Sequence, residues 1–270
     1  MPPELYTFTE LVQIMTRLRS QDGCPWDREQ TIETLRSFLL EETYELLEAI
    51  DRKNPADHCE ELGDVLFQIV FQAQIAAETG LFTISEVIDR IARKLISRHP
   101  HVFGNTTVKD SAEVATAWQQ IKNAEKAQKG VLETKSLLDD VPRSLPALLA
   151  THRLSERART VGFDWQQVSQ VLEKVREEYQ ELQQELALDR SANNQEAIAW
   201  ELGDLLFTLA NLARHLDLCG EDLLRQANQR FRERFQKVEE LAGNRKIDIA
   251  SASLDTLEAL WQDAKKLVRF

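Results

Sequence analysis

The sequence predicts an all-α protein built from two copies of one helical unit, each unit bearing a cluster of carboxylates. Three observations carry this expectation. No stretch alternates apolar and polar residues long enough to make a strand, and the chain of 270 residues has only 9 glycines and 7 prolines. Apolar residues recur with helical spacing through most of the length. The two halves also repeat each other.

In the first half the pattern predicts helices at about 7–20, 31–52, 56–79, 84–97 and 111–127, with Pro55 in the first turn of the third and Pro100 stopping the fourth. In the second half helices are expected at about 146–160, 166–188, 192–217, 220–241 and 254–268, with Asn193 or Asn194 capping the central one. The central helices are the most apolar. One carries Leu62, Val65, Leu66, Ile69, Val70 and Ala73, extended by Phe67 and Phe71; the other carries Leu202, Leu205, Leu206, Leu209, Leu212, Ala213 and Leu216. Such helices need central burial, in a compact bundle or in one completed by a second chain. We expect the second arrangement.

The repeat is explicit. Residues 61–67 read ELGDVLF and 201–207 read ELGDLLF, each followed at the same distance by a glycine expected to end the helix, Gly80 and Gly220. Upstream, Glu41, Glu42 and Glu45 have the spacing of Glu177, Glu178 and Glu181. Gly23-Cys24-Pro25-Trp26-Asp27 has a weaker partner in Gly162-Phe163-Asp164-Trp165. Downstream, Lys94 and Arg98 pair with Arg230 and Arg234, and Trp118 and Lys122 with Trp261 and Lys265. A period near 140 residues is a domain duplication, not a solenoid repeat. The expected organisation is a helical domain at 1–126, a connector at 127–145 containing glycine and prolines, and a second helical domain at 146–270.

Composition narrows the function. With 43% apolar and 29% charged residues the chain has the make-up of a folded protein. A net charge of −12 argues against sequence-independent binding to nucleic acid, while leaving room for a small polyanion at a local cluster of cations. No apolar run reaches the roughly 18–20 residues of a membrane span, and no secretory leader is visible at the start. Three cysteines at no metal-like spacing suit a reducing, cytoplasmic compartment.

The chemistry is expected on the central helices. Glu61 and Asp64 share a face with Gln68 and Gln72; Glu201 and Asp204 share one with Thr208, Asn211 and His215. On each preceding helix, Glu42 and Glu45, or Glu178 and Glu181, are also three apart. A lone EExxE is ordinarily solvated helix surface. Its recurrence beside the most apolar helix of each half points instead to carboxylates converging on a cation. With oxygen ligands and no thiol, that cation would be hard: Mg²⁺ first, Mn²⁺ as substitute. Glu41, Glu48, Glu60 and Glu177 are ambiguous between ligand and surface. Lys94, Arg98, Arg230, Arg234, Lys122 and Lys265 are phased to meet phosphate oxygens, although cations near helix ends also answer the helix dipole. Trp26, Trp118, Trp165 and Trp261 could stack on a base but more often pack cores; Asn211 and Asn228 are weaker candidates for base or ribose. His99 and His101 lack a third ligand and read as structural, and His215 reads equally as a site residue or a satisfied interior histidine. Neither a GxxxxGK[ST] loop nor a GxSxG elbow is present.

CPWDREQT at 24–31, LLEETYELLEAI at 39–50, EELGDVLFQIVFQ at 60–72, RHPHVFG at 98–104, ELGDLLFTLANLARH at 201–215, ANQRFRERF at 227–235 and ALW at 259–261 together resemble the two-domain bacterial MazG nucleoside triphosphate pyrophosphohydrolases. The resemblance covers nearly the whole chain. It implies an all-alpha NTP pyrophosphatase fold in intertwined dimers, and conversion of an NTP and water to NMP and diphosphate, with broad specificity and Mg²⁺-assisted attack at the α-phosphorus. Carried over, the metal ligands are Glu42, Glu45, Glu61 and Asp64, then Glu178, Glu181, Glu201 and Asp204. The catalytic set is Glu178, Glu181, Glu201, Asp204, Arg230, Arg234 and Lys265, with Glu178 orienting water. Nucleotide contacts fall to Trp261, Asn228, Lys94, Arg98, Trp118 and Lys122. The second half departs from the pattern at Ala197-Ile198-Ala199-Trp200, where relatives have further acids and a lysine, and at Arg230, which replaces a lysine. The second site is nonetheless expected to be the more active. The rival readings are a narrow dUTP or modified-nucleotide pyrophosphatase and a non-enzymatic nucleotide-binding scaffold.

Overall fold

The computed structural model describes residues 5–110, 113, 114, 118, 121, 136–188 and 192–268. These residues are helical or in turns, and the chain divides into two compact units, residues 1–132 and 133–270.

The first unit contains α1 (Phe8–Leu18), α2 (Pro25–Glu29), α3 (Leu35–Arg52), α4 (Pro55–Glu78), α5 (Ile84–Arg98) and α6 (Pro100–Phe103). Local chemistry sets the ends. Thr7 and Glu10 form a capping box at the start of α1, as Thr83 and Glu86 do at α5. Asn54 caps α4 through Ala56 N at 3.0 Å, with Pro55 in the first turn as expected. Gly80, at φ 71°, closes that helix with the left-handed turn the sequence suggested. Three expectations shift. The helix expected from 31 begins at Leu35, because Thr31 and Thr34 bond each other's amides in a turn. Pro100 does stop α5, but it also opens the single turn of α6. Residues 25–29 form a short helix not anticipated. The helix expected at 111–127 lies largely outside the described residues.

α3 and α4 form a hairpin, and α1 packs across α4. Met15, Leu35, Val70, Phe71 and Ile75 make the core, with Phe38 and Phe67 beside it. Arg19 is the polar tie: its side chain is 8% exposed and pairs bidentately with Glu78, Nε–Oε1 2.9 Å and Nη2–Oε2 2.8 Å. It also donates to the carbonyls of Asp27 and Gln30 and lies over the Phe71 ring, so one guanidinium joins α1, α2 and α4.

The second unit contains α7 (Ala147–Arg159), α8 (Val168–Ala187), α9 (Ala192–His215), α10 (Gly220–Arg245) and α11 (Leu254–Leu267). α8 and α9 pair as α3 and α4 do; α7 packs on α9 and α10, and α11 packs on α10. Residues from the expected connector lie against α7: Asp140 pairs with Arg157 at 3.5 Å. Two expectations are corrected here. Gly220 does not end the central helix; Asp217 takes the left-handed position at φ 57°, and Gly220 opens α10. Asn194 does not cap α9 from outside; it sits within that helix and its Nδ2 donates to the Glu185 carbonyl at 2.8 Å, satisfying the end of α8 instead.

The tie in this unit is built from other residues. Asp164 Oδ1 accepts from Arg214 Nη2 at 2.5 Å and lies 3.0 Å from His215 Nε2, while Arg214 Nε donates to Asn211 Oδ1 at 2.7 Å. Arg214 and Asn211 are buried. Burial works to raise the Asp164 carboxyl pKa, but the bonds and charges of Arg214 and His215 outweigh it and hold it below the ordinary value. His215 is thus a satisfied interior group, the blander of its two readings.

The central helices are less enclosed than their composition demands. Leu62, Leu66 and Ile69 are 49%, 37% and 43% exposed, and Leu202, Leu206 and Leu209 are 46%, 51% and 43% exposed. About half the face expected to be buried is therefore open in the single chain.

Removing Asp164 leaves Arg214 charged and buried with no carboxylate beside it but the Asn211 amide still bound. We expect Asp164→Ala to cost the second unit about 3–5 kcal/mol, read as an earlier urea transition for Trp165 fluorescence; an unshifted transition would show the tie to be dispensable.

Candidate metal centre

The α3–α4 hairpin sets the site. Its two helices are joined only through Lys53 and Asn54, so Glu42 and Glu45 on α3 and Glu61 on α4 sit level, about two to three turns from the connection. One carboxylate oxygen from each of Glu42, Glu45 and Glu61 lies within 4.8 Å of the others. The α8–α9 hairpin repeats this with Glu178, Glu201 and Asp204, again within 4.8 Å. Each unit thus brings together three of its four expected ligands. Asp64 in the first and Glu181 in the second stand outside the triads but close enough to act on them electrostatically. Among the described residues no histidine or cysteine joins either cluster.

The electrostatics follow from crowding. Desolvation pushes the Glu42 carboxyl above its ordinary value, and the charges of Asp64, Glu45, Glu61 and Glu41 push it further. Glu61 is raised in the same way, by desolvation first and then by Glu45, Asp64, Glu60 and Asp57. Gln68, one turn beyond Asp64, is 4% exposed and its Oε1 has no partner, which leaves one more oxygen acceptor on that helical face. Converging carboxylates, raised pKa values and an unmet carbonyl form a donor set that fits a hard divalent cation.

In the second unit Glu178 is the most enclosed acid, with a side chain 7% exposed. Its neighbour is one that sequence reasoning missed. Lys174, one turn earlier on α8, places Nζ 2.8 Å from Glu178 Oε1 and 2.7 Å from Glu177 Oε1, and both contacts raise its pKa. The signal was present as a lysine four residues before the acid, but i,i+4 pairs of this kind are common on helix surfaces and the burial of Glu178 could not be read. Glu181 is raised by desolvation and by Glu178, with Lys174 acting against this.

The remaining candidates divide by helix. Arg230 and Arg234 are half-buried on α10, and Lys265 and Trp261 half-buried on α11; the Trp261 ring lies 5.3 Å from Phe231 and packs on the α10–α11 core. Asn228 is exposed on α10. In the first unit Lys94 is exposed and Arg98 half-buried on α5, and Trp118 meets His99 edge-on at 5.4 Å. Lys122 lies outside the described residues. His99 is held by the Leu95 carbonyl, with Nδ1 at 2.6 Å, in keeping with the structural reading. Trp26 packs edge-on against Phe38 and Trp165 against His215. Asn211 is committed to Arg214.

Comparison with known proteins places the chain among nucleotide pyrophosphohydrolases. Residues 30–103 match the MazG nucleotide pyrophosphohydrolase domain, and residues 149–231 match phosphoribosyl-ATP pyrophosphohydrolase. The chain is 44% identical to a nucleoside triphosphate pyrophosphohydrolase of Escherichia coli K12, over 95% of this chain and 96% of that protein. It is 44% identical to the nucleoside triphosphate pyrophosphohydrolase/pyrophosphatase MazG of Thermotoga maritima, over 96% and 95%. An uncharacterized Bacillus subtilis protein, YabN, is 42% identical over 98% of this chain and 53% of its own length.

Because Glu42 and Glu61 have folded-state pKa values above those of the unfolded chain, their ionisation weakens the fold. The penalty is absent below the ordinary carboxyl range and complete once pH has risen through the folded values. With divalent ions chelated at pH 7, Glu42→Gln or Glu61→Gln should therefore raise the first unit's Tm, by about 2–4 °C. The gain should vanish near pH 4, and melts at the two pH values decide it.

Proposed function

Since the chain belongs to the MazG family of nucleotide pyrophosphohydrolases, we propose that it hydrolyses nucleoside triphosphates to the monophosphate and diphosphate, with broad base specificity. The observation that carries this reading is the pair of carboxylate triads, one in each unit's helix hairpin. We assign Glu42, Glu45, Glu61 and Asp64, and Glu178, Glu181, Glu201 and Asp204, as holders of Mg²⁺, with Mn²⁺ able to replace it. Bound there, the ion would lower the pKa of a water and steady charge on the triphosphate oxygens.

The chain's own residues do the rest. Glu178, fixed by burial, orients the attacking water toward the α-phosphorus. Arg230, Arg234 and Lys265 meet the β and γ groups as charge gathers on the leaving diphosphate. Trp261 and Asn228 serve the nucleoside; Lys94, Arg98, Trp118 and Lys122 take the corresponding roles in the first unit. The half-exposed leucines of α4 and α9 support a homodimer, in which a second copy covers them. Three free cysteines suit the cytoplasm, and no described helix is long and apolar enough to cross a membrane. A narrower diet is the second reading, favoured by the match of residues 149–231 to phosphoribosyl-ATP pyrophosphohydrolase.

Hydrolysis in H₂¹⁸O should place the label in the monophosphate; label in diphosphate would rule out attack at α. A panel of NTPs with phosphoribosyl-ATP at fixed Mg²⁺ separates broad from narrow use. Replacing Glu42, Glu61, Glu201 and Asp204 by alanine together should lower monophosphate release by about 10³-fold or more; an unchanged rate would end the assignment. Leu66→Glu with Leu206→Glu should shift the species seen by light scattering from dimer to monomer.

A further inference from the structure

The two acidic clusters are alike in their carboxylates and unlike in what stands one helical turn before them. In the first unit the residue four before Glu42 is Phe38, which packs beside the core and edge-on against Trp26 at 5.6 Å. In the second, the residue four before Glu178 is Lys174, whose ammonium lies 2.8 Å from that buried carboxylate. A buried carboxylate of this kind demands a counter-charge.

We propose that Lys174 is a tethered counter-cation that occupies Glu178 before a divalent ion arrives, so that ion binding at the second site is an exchange and the first site binds free ions more tightly. This rests on the reading of both clusters as divalent-ion sites. The geometry has it act on Glu178 and not on all three acids alike: Glu201 and Asp204 come from α9, and among the described residues the ion pairs of Lys174 are with the α8 acids Glu177 and Glu178. Glu178 Oε1 is held by the ammonium, which leaves the other oxygen to face an ion. The ion must also enter a cluster that already holds a positive charge, and both effects weaken free-ion affinity. The two halves of a duplicated chain would then differ in when they load: the first with the ion alone, the second when a triphosphate adds negative charge to draw the ion in.

The test uses the full chain with Glu42, Glu45 and Glu61 changed to glutamine, so that only the second site reports. Free Mn²⁺ is titrated and unbound ion followed by electron paramagnetic resonance, without nucleotide. Lys174→Met should tighten Mn²⁺ binding by about tenfold or more, and Lys174→Arg should leave it near the parent value. The parent second site should also bind more weakly than the first site, measured with Glu178, Glu201 and Asp204 changed instead. An unmoved or weakened isotherm in Lys174→Met, including one accompanied only by a lower Tm, overturns the exchange. Monophosphate release from each protein keeps the two claims apart. Turnover with an unmoved isotherm sinks the lysine's role alone, whereas no Mn²⁺ at either cluster together with undiminished turnover sinks the metal reading itself.

Discussion

The structure turns on mutual repulsion among carboxylates that the backbone forces together. A helix hairpin aligns two acidic faces whether or not anything lies between them, and in water those faces would splay. Apolar packing prevents this: Val70, Phe71 and Ile75 hold α4 in the first core, and Ala210 and Ala213 are buried on α9 in the second unit. The core thus stabilises the proximity that the charges oppose. A small, doubly charged ion between the two faces would relieve that opposition.

Duplication kept this arrangement and let its supports diverge. Both units fasten the segment before the acidic hairpin to the far end of the central helix through a buried arginine. The first takes it from α1, where Arg19 meets Glu78; the second takes it from α9 itself, where Arg214 meets Asp164. The polarity is reversed, with the carboxylate on the central helix in one case and on the preceding loop in the other. The need is common, the residues are not, and a side-by-side reading of the halves does not pair them.

This explains what was legible in the sequence. Helix positions were, because period and capping residues are local: Thr83 with Glu86, Asn54 with Pro55, and Gly80 all act within a few residues of themselves. The acidic clusters were, because a three-residue spacing on a helix fixes a face and two copies of it compound the signal. What escaped depends on partners distant in sequence. Asn194 looks like a start signal until Glu185 claims it, and Asp217 in a left-handed turn displaces a glycine that seemed made for the role. Lys174 was an ordinary surface lysine until the burial of Glu178 gave it a buried partner.

The connection between α3 and α4 has a consequence for how this protein can vary. Lys53, at φ 54°, and Asn54 are all that separates the two helices. An extra residue there would carry the following helix about 100° around its axis and 1.5 Å along it, swinging Glu61 away from Glu42 while sequence identity hardly changed. A surface bend of the sort that usually drifts freely in length is here a gear tooth: the second unit sets Glu201 23 residues after Glu178 where the first sets Glu61 19 after Glu42, about one helical turn more, so the interval should change by whole turns and not by single residues.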